Sequence, residues 1–583
     1  MLALGAVTLL FGPIMLGGAA LALVARLRRP IGAMLWLVPL ASAAVALLAL
    51  LSGETRGALV LPLGLPGFPL TLVWDGVSAL FLLALTLPLA VILRLSSPAR
   101  PAASGVLVAG LHAIILAGDA YALLVGLALT LASLARLAAI SRPRLAAIAL
   151  VWLLLLAAQA PPLPDGTPNP VFAAWRAPAL SPLAGLGLSA LVLAGAGLVA
   201  APLFRPARLA ACANNEGALL IASLAPSALY LVARFLVDLL APSAAGATAA
   251  LALPLGAALA LGAAARAAWA EDFLIACAAL PGWLVGESVF ALGISAWARH
   301  LDLAAPTRDA TAAFFFLALL AAFAGPLWLA LAAVITREAG SRHLARLGGL
   351  AWRMPKAALL AGIALTTVLP LGPGFFGAPL ALTALLRAPG VGLGAVVLPM
   401  LVAVLGILLA LAPFVAVRLF GLGFLGPPRT PRASAAEPPR APEANLLTVL
   451  AAALALLGGV PGLGVALIAP ALPGLRGGDP ETAILLVAAP LATLIAIGLG
   501  VGLFLVASRH GARPVATVWE EGYGPRPAWL PFGDPATMIA PEILGAELPA
   551  SLAPAKAWLR HWLRRLDAAW RAAYEAFLAP PCG

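Results

Sequence analysis

The sequence predicts an all-α polytopic membrane protein of about fifteen spans, 14–16 in all, arranged as an antiporter-like bundle with broken helices. Three observations carry that expectation. Of 583 residues, 63% are hydrophobic and only 10% are charged, against about 25% charged in ordinary soluble domains. The apolar residues arrive in successive blocks of about 18–25, the length that crosses a hydrocarbon core of about 30 Å. The Leu/Ala-rich blocks lack the alternation of barrel strands, and a helix satisfies its own backbone in lipid.

Taken in order, the blocks place spans near 2–25, 31–51, 76–95, 103–118, 120–140, 145–161, 183–203, 217–240, 247–270, 273–296, 309–336, 356–384, 391–417, 446–470 and 482–507. The first lacks a basic leader and is followed by further spans, so it reads as a retained helix and not a cleaved signal. With the N-terminus outside, the inner connections hold twenty Lys/Arg, the outer ones seven and the tail eight. That asymmetry predicts an N-out, C-in protein. The net charge of +12 then reflects topology and lipid contact, and nucleic acid is not an expected partner.

The chain divides into N-terminal helices (1–100), a core (101–421), a Pro/Ala/Arg-rich cytoplasmic linker (422–445) that is not expected to pack a core, C-terminal helices (446–507) and a cytoplasmic tail (508–583). Within the tail, 551–578 places Trp558, Trp562, Leu566 and Trp570 on one helical face and arginines on the others. Such a cationic amphipathic helix suits the inner interface or a partner subunit equally. Pro226, Pro281 and Gly325-Pro326 fall near mid-membrane. They read either as simple kinks or as broken helices beside a cavity.

Chemistry-bearing motifs are few. Cys212, Cys277 and Cys582 form no CxxC pair, so no metal or cofactor is expected. P-loop, GxGxxG-after-strand and HExxH patterns are missing, which excludes the common soluble chemistries. Glu287, in WLVGESVFALG, and His112, in VLVAGLHAIILAG, stand near the middle of their spans. Buried ionisable groups are candidates for a proton path, although each also suits a satisfied interhelical hydrogen bond. Arg234 and Asp238 have the spacing of a local ion pair, Asp75 that of a cap for the next helix, and Asn214-Asn215-Glu216 that of a helix start.

Four stretches carry a more specific resemblance: VLPLGLPGFPLTLVWDGVSALFLL (60–83), the polar loop TREAGSRHLARLGGLAWRMP (336–355), AVRLFGLGFLGPPRTP (416–431) and TVWEEGYGPRPAWLPFGDPATMIAPEI (517–543). Together they resemble the large membrane subunit of hydrogenase-4 and formate-hydrogenlyase complexes, similar to the antiporter-like subunits of complex I and multisubunit cation/proton antiporters. The resemblance implies an inner-membrane subunit, partnered by other membrane and peripheral subunits, in which intramembrane Glu and Lys carry protons. The sequence departs at each such position. The family's W-E stretch falls on Leu127-Ala128, K-A-G-L on Gly195-Ala196-Gly197-Leu198, and K-T-G-L-Y on Pro226-Ser227-Ala228-Leu229-Tyr230; the later His/Lys helix falls on the apolar 314–330. Lys356 and Lys556 are the only lysines, and both are placed outside the bilayer core. The expectation is a non-catalytic membrane subunit of an oxidoreductase assembly with translocation weakened or lost. An autonomous secondary transporter is the alternative.

Overall fold

The computed structural model describes residues 3–472 apart from 25, 54, 56, 66–67, 97–99, 138–141, 160–170, 176–180, 213–214, 240–241 and 389–393, together with isolated positions 498, 561 and 565. The span expected at 482–507, the tail motif and the amphipathic helix lie outside the described residues.

The helices follow the apolar blocks. They are α1 (Ala3–Leu21), α2 (Arg29–Ser52), α3 (Gly76–Ser96), α4 (Pro101–Leu116), α5 (Ala120–Leu137), α6 (Arg142–Gln159), α7 (Pro182–Ala200) and α8 (Glu216–Leu239). After these come α9 (Ala245–Trp269), α10 (Phe273–His300), α11 (Ala304–Ala339), α12 (Pro355–Leu365), α13 (Ala378–Leu386), α14 (Gly394–Phe424), α15 (Ala441–Gly459) and α16 (Pro461–Ile468). Among the described residues, ten helices are long and apolar enough to cross a membrane, and shorter apolar helices occupy the remaining expected spans before residue 472. The chain is a multi-pass membrane protein. α3, α8, α10 and α11 are buried along most of their length, whereas α9, α14 and α15 leave one side uncovered. α9 packs along α10, α10 along α11, and α8 joins α11 and α3.

The α9–α10 seam shows how small residues set the packing. A Cβ added to Gly286 would lie 2.3 Å from the Ala260 backbone nitrogen, and one on Gly256 would lie 2.3 Å from that of Phe290. Lipid tails give no hydrophobic drive between helices, so close backbone approach supplies the contact energy.

Some features differ from the sequence expectation, and the open reading of the mid-membrane prolines is decided for continuous helices. Residues 57–74 form an antiparallel hairpin, β1 (Gly57–Leu65) and β2 (Phe68–Trp74), which the helix-period reading overlooked. Leu59, Leu61, Leu70 and Leu72 alternate with other residues at a period of two, and Pro66-Gly67 is a turn dipeptide between the strands. The helices through Pro226, Pro281 and Gly325-Pro326 are continuous. A transmembrane proline is accommodated when neighbouring groups satisfy the freed carbonyl. The interruption lies instead between α12 and α13, where Pro370, Gly372, Pro373 and Gly374 accumulate and only a short 3-10 turn, Gly372–Phe376, forms. α8 also widens into a π-helical turn at Ala233–Leu239.

The linker expected to lack packing is docked in its described part. Arg429 donates to the carbonyls of Leu422 (3.0 Å) and Leu344 (3.5 Å), and Ala433 is buried. Gly348 and Gly349 adopt φ of 123° and 64°. A Cβ on Gly349 would meet the Pro428 ring at 2.7 Å. The double glycine thus lets the 340–355 loop lie against 427–430. Loop contacts sort into two ends. Asp272, 340–355 and 418–445 meet at one end; the hairpin, residues 117–119 and Val171 meet at the other.

Candidate functional site

At the hairpin end of the bundle, Asp75 opens α3 and accepts the Ser78 backbone N–H at 2.8 Å, the cap expected of it. Its carboxylate also receives Arg234 at 2.6 and 2.9 Å. The π turn of α8 places Asp238 within 2.6 Å of the same guanidinium. Arg234 further donates to the hydroxyls of Ser78 (2.8 Å) and Tyr230 (3.1 Å). Ser78 and Tyr230 donate in turn to the Ile115 carbonyl at 2.9 and 2.7 Å. Ile115 lies in the last turn of α4, so these hydroxyls satisfy a carbonyl that the ending helix leaves free. The local Arg234–Asp238 pair is therefore one part of a network joining α3, α4 and α8. Burial pushes the Asp75 carboxyl up, but the Arg234 charge and the hydrogen bonds outweigh it and hold the group below the usual carboxylate range.

Two further carboxylates went unnoticed in the sequence. Asp119 is 1% exposed; it accepts the Thr71 hydroxyl at 2.8 Å, the Thr71 backbone N–H, and the Ala122 N–H at 2.7 Å. It pins the hairpin to the start of α5. Asp309, 3% exposed, pairs with Arg387 at 2.7 Å and with Arg308 at 3.5 Å, linking α11 to the end of α13. Asp119 does carry a local cap signature, its bond to the Ala122 N–H three residues on, but its contact with Thr71 and that of Asp309 with Arg387 join residues 48 and 78 apart, which no local pattern encodes. At the opposite end, buried Arg418 donates to the carbonyls of Ala270 (2.7 Å) and Ala267 (3.4 Å), closing the C-terminus of α9.

The two sequence candidates are both buried, on separate helices, and no hydrogen bond joins them. Glu287 lies midway along α10 and is 6% exposed. Trp283, one turn earlier on the same helix, is buried as well. His112 was expected at mid-span, yet it lies four residues before the end of α4. Its ring nitrogens meet Ser42 Oγ at 3.1 Å and the Val108 carbonyl at 2.8 Å, the satisfied interhelical arrangement. Helix α8 begins at Glu216, as expected, but Asn215 has φ 60° and makes no side-chain cap.

Three of the positions where the resemblance implies charge are packed, whereas Ala128 is exposed. A Cβ on Gly195 would sit 3.0–3.2 Å from the Trp152 indole, whose ring fills the adjoining space. Pro226 is inside a continuous buried helix. Every residue from Phe314 to Ala330 is buried. Lys356, at the start of α12, reaches Asn445 Oδ1 at 2.7 Å on the exposed side. Among the described residues no group of three His, Cys, Asp or Glu could hold a metal ion.

No protein-family model and no curated protein sequence matches the chain. Solved structures do. The membrane-bound sulfane sulfur reductase, an archaeal respiratory membrane complex, contains a chain of 19% identity and TM-score 0.72, with 97% of this chain and 94% of that one covered. The Mrp complex from Dietzia sp. DQ12-45-1b contains one of 20% identity and TM-score 0.61, covering 99% of this chain. This chain spans 63% of that Mrp chain's length. Respiratory complex I from Thermus thermophilus contains one of 22% identity and TM-score 0.59, covering 81% of this chain and all of that one. At these identities the likeness concerns architecture: the chain has the fold of the antiporter-like membrane subunits of respiratory and Mrp complexes.

Proposed function

We propose that the chain is a membrane subunit of a hydrogenase-4-like or complex-I-like oxidoreductase assembly in the inner membrane, anchoring a redox module, with ion translocation weakened or lost. One observation carries the reading: the interior at Gly195, Pro226 and 314–330 is close-packed and apolar, while the 340–355 loop and 427–430 keep an ordered, glycine-dependent joint. A proton crossing lipid needs buried groups that titrate, and the protein retains few. Residual conduction runs through Glu287 and His112 in this reading. Mild solubilisation followed by identification of co-purifying chains tests it. Redox and further membrane subunits should be recovered; a stable lone monomer would overturn the assembly reading. The interruption between α12 and α13, together with Glu287, favours a second reading, an autonomous secondary transporter. Partner-free uptake into proteoliposomes would select that one.

A further inference from the structure

Among the described residues, the threonines within α3, α9, α11 and α15 return their hydroxyls to a carbonyl of their own helix, as Thr86, Thr248, Thr307, Thr311, Thr336 and Thr448 show. Thr130, on α5, does not. Its hydroxyl is buried and has no hydrogen-bond partner, an arrangement that costs about 1–3 kcal/mol if nothing fills it. The hydroxyl projects toward the α4 backbone, where the missing side chain of Gly110 leaves room: a Cβ there would stand 2.6 Å from Thr130 Oγ1. Beside it is a small void of about 10 Å³. Leu111, Leu127, Leu198 and Leu231 are among its walls, and Thr130 and Ser227 are its two polar residues. Ser227 already donates to the Ser223 carbonyl at 2.6 Å, so its oxygen is left with lone pairs to offer.

A void of about 10–15 Å³ holds one water when polar partners face it, whereas a wholly apolar one stays dry. We infer that this void is a binding site for a single water molecule, which accepts from or donates to Thr130 Oγ1 and donates to Ser227 Oγ, bridging α5 to α8. Three of the stretches where the resemblance places charged residues each contribute a wall: Leu127, Leu198 and Ser227. They converge on a space that admits one water and two hydroxyls. None of those groups titrates in the working pH range, so the site ties helices together and stores no proton.

The test is a map of the full-length protein in lipid nanodiscs at a resolution that shows ordered water, for the wild type, Thr130→Val and Thr130→Ser. The expected result is a density peak within hydrogen-bonding distance of both hydroxyls in the wild type and Thr130→Ser, and none in Thr130→Val. Thermal unfolding adds an independent readout, since valine has threonine's shape and the fold tolerates it. Thr130→Val should lower the unfolding midpoint, and Thr130→Ser should lower it less. An empty void in the wild type, or a Thr130→Val midpoint equal to or above the wild type's, would overturn the site.

Discussion

Arg234 Nη1 lies 2.6 Å from Asp75 Oδ2, a contact between residues 159 apart in sequence that joins the last turn of α8 to the first turn of α3. The guanidinium is almost fully buried and also serves Asp238, Ser78 and Tyr230. Removing one partner of such a pair strands the other, at about 3–5 kcal/mol. Arg234→Leu should therefore lower the thermal unfolding midpoint strongly in nanodiscs. Arg234→Lys should recover part of the loss, because one ammonium cannot reach the five oxygens arranged about the planar fork. A lysine variant as stable as the wild type would show that charge alone matters here.

The same pair predicts a pH window. The folded Asp75 carboxyl titrates below its ordinary value of 3.8. A depressed carboxylate stabilises the fold fully above its unfolded pKa, and the contribution fades as pH falls from there through the folded pKa. The stability difference between wild type and Asp75→Asn should thus stay constant from neutral pH down to about 5 and shrink below about 4. A difference already declining between pH 8 and 6 would assign the dependence to another group.

Much of this was legible in sequence and some was not, for physical reasons. Apolar block length located the helices because a span needs a fixed number of residues to cross lipid. It could not locate the interruption, since Pro226 and Pro281 look like breakers yet sit in continuous helices, whereas Pro370 to Gly374 concentrates four poor helix formers in five residues. Asp75 as a cap depends on three residues of local sequence and could be read directly. Its bond to Arg234 depends on which helices pack side by side, and no local pattern encodes that. His112 shows why position along a span is hard to read: it depends on where α4 begins and ends, and helix ends are the least sharply marked feature of a hydropathy pattern.

Gly286 and Gly256 permit the close approach of α10 and α9, with backbone atoms 2.3 Å from where a Cβ would stand. Backbone cannot move aside as a side chain can, so Gly286→Val should separate the helices and destabilise by about 1–3 kcal/mol or more. Gly262, on the same α9, has nothing within 4 Å of an added Cβ. Gly262→Ala should be neutral or stabilising by up to about 1 kcal/mol through helix propensity. Thermal unfolding of the two variants side by side measures the contrast, and equal effects would contradict the packing assignment.

Gly349 holds the 340–355 loop against Pro428 with φ 64°. Gly349→Ala pays about 1–2 kcal/mol for the left-handed backbone and also meets the proline ring. The loop should then detach before the bundle melts. Limited proteolysis should cut the variant faster within 340–355 and 427–440 while the global midpoint shifts only slightly. If partner subunits dock on this joint, as the proposed function holds, their recovery should fall with it. Unchanged cleavage would place the joint's stability elsewhere.

Glu287 offers the sharpest test of whether any ion movement survives. Glutamine keeps the shape and hydrogen-bonding capacity of glutamate but cannot release a proton. In a complex reconstituted into liposomes, Glu287→Gln should reduce residual proton flux to the leak of protein-free vesicles, with subunit composition and melting unchanged. His112 is tied to Ser42 and Val108, so His112→Asn should cost stability as well as flux. The two variants therefore separate conduction from packing. Wild-type flux in Glu287→Gln would remove that carboxylate from any pathway, and would leave the buried hairpin-end network of Asp75, Arg234 and Asp238 as a structural joint with no proton route beneath it.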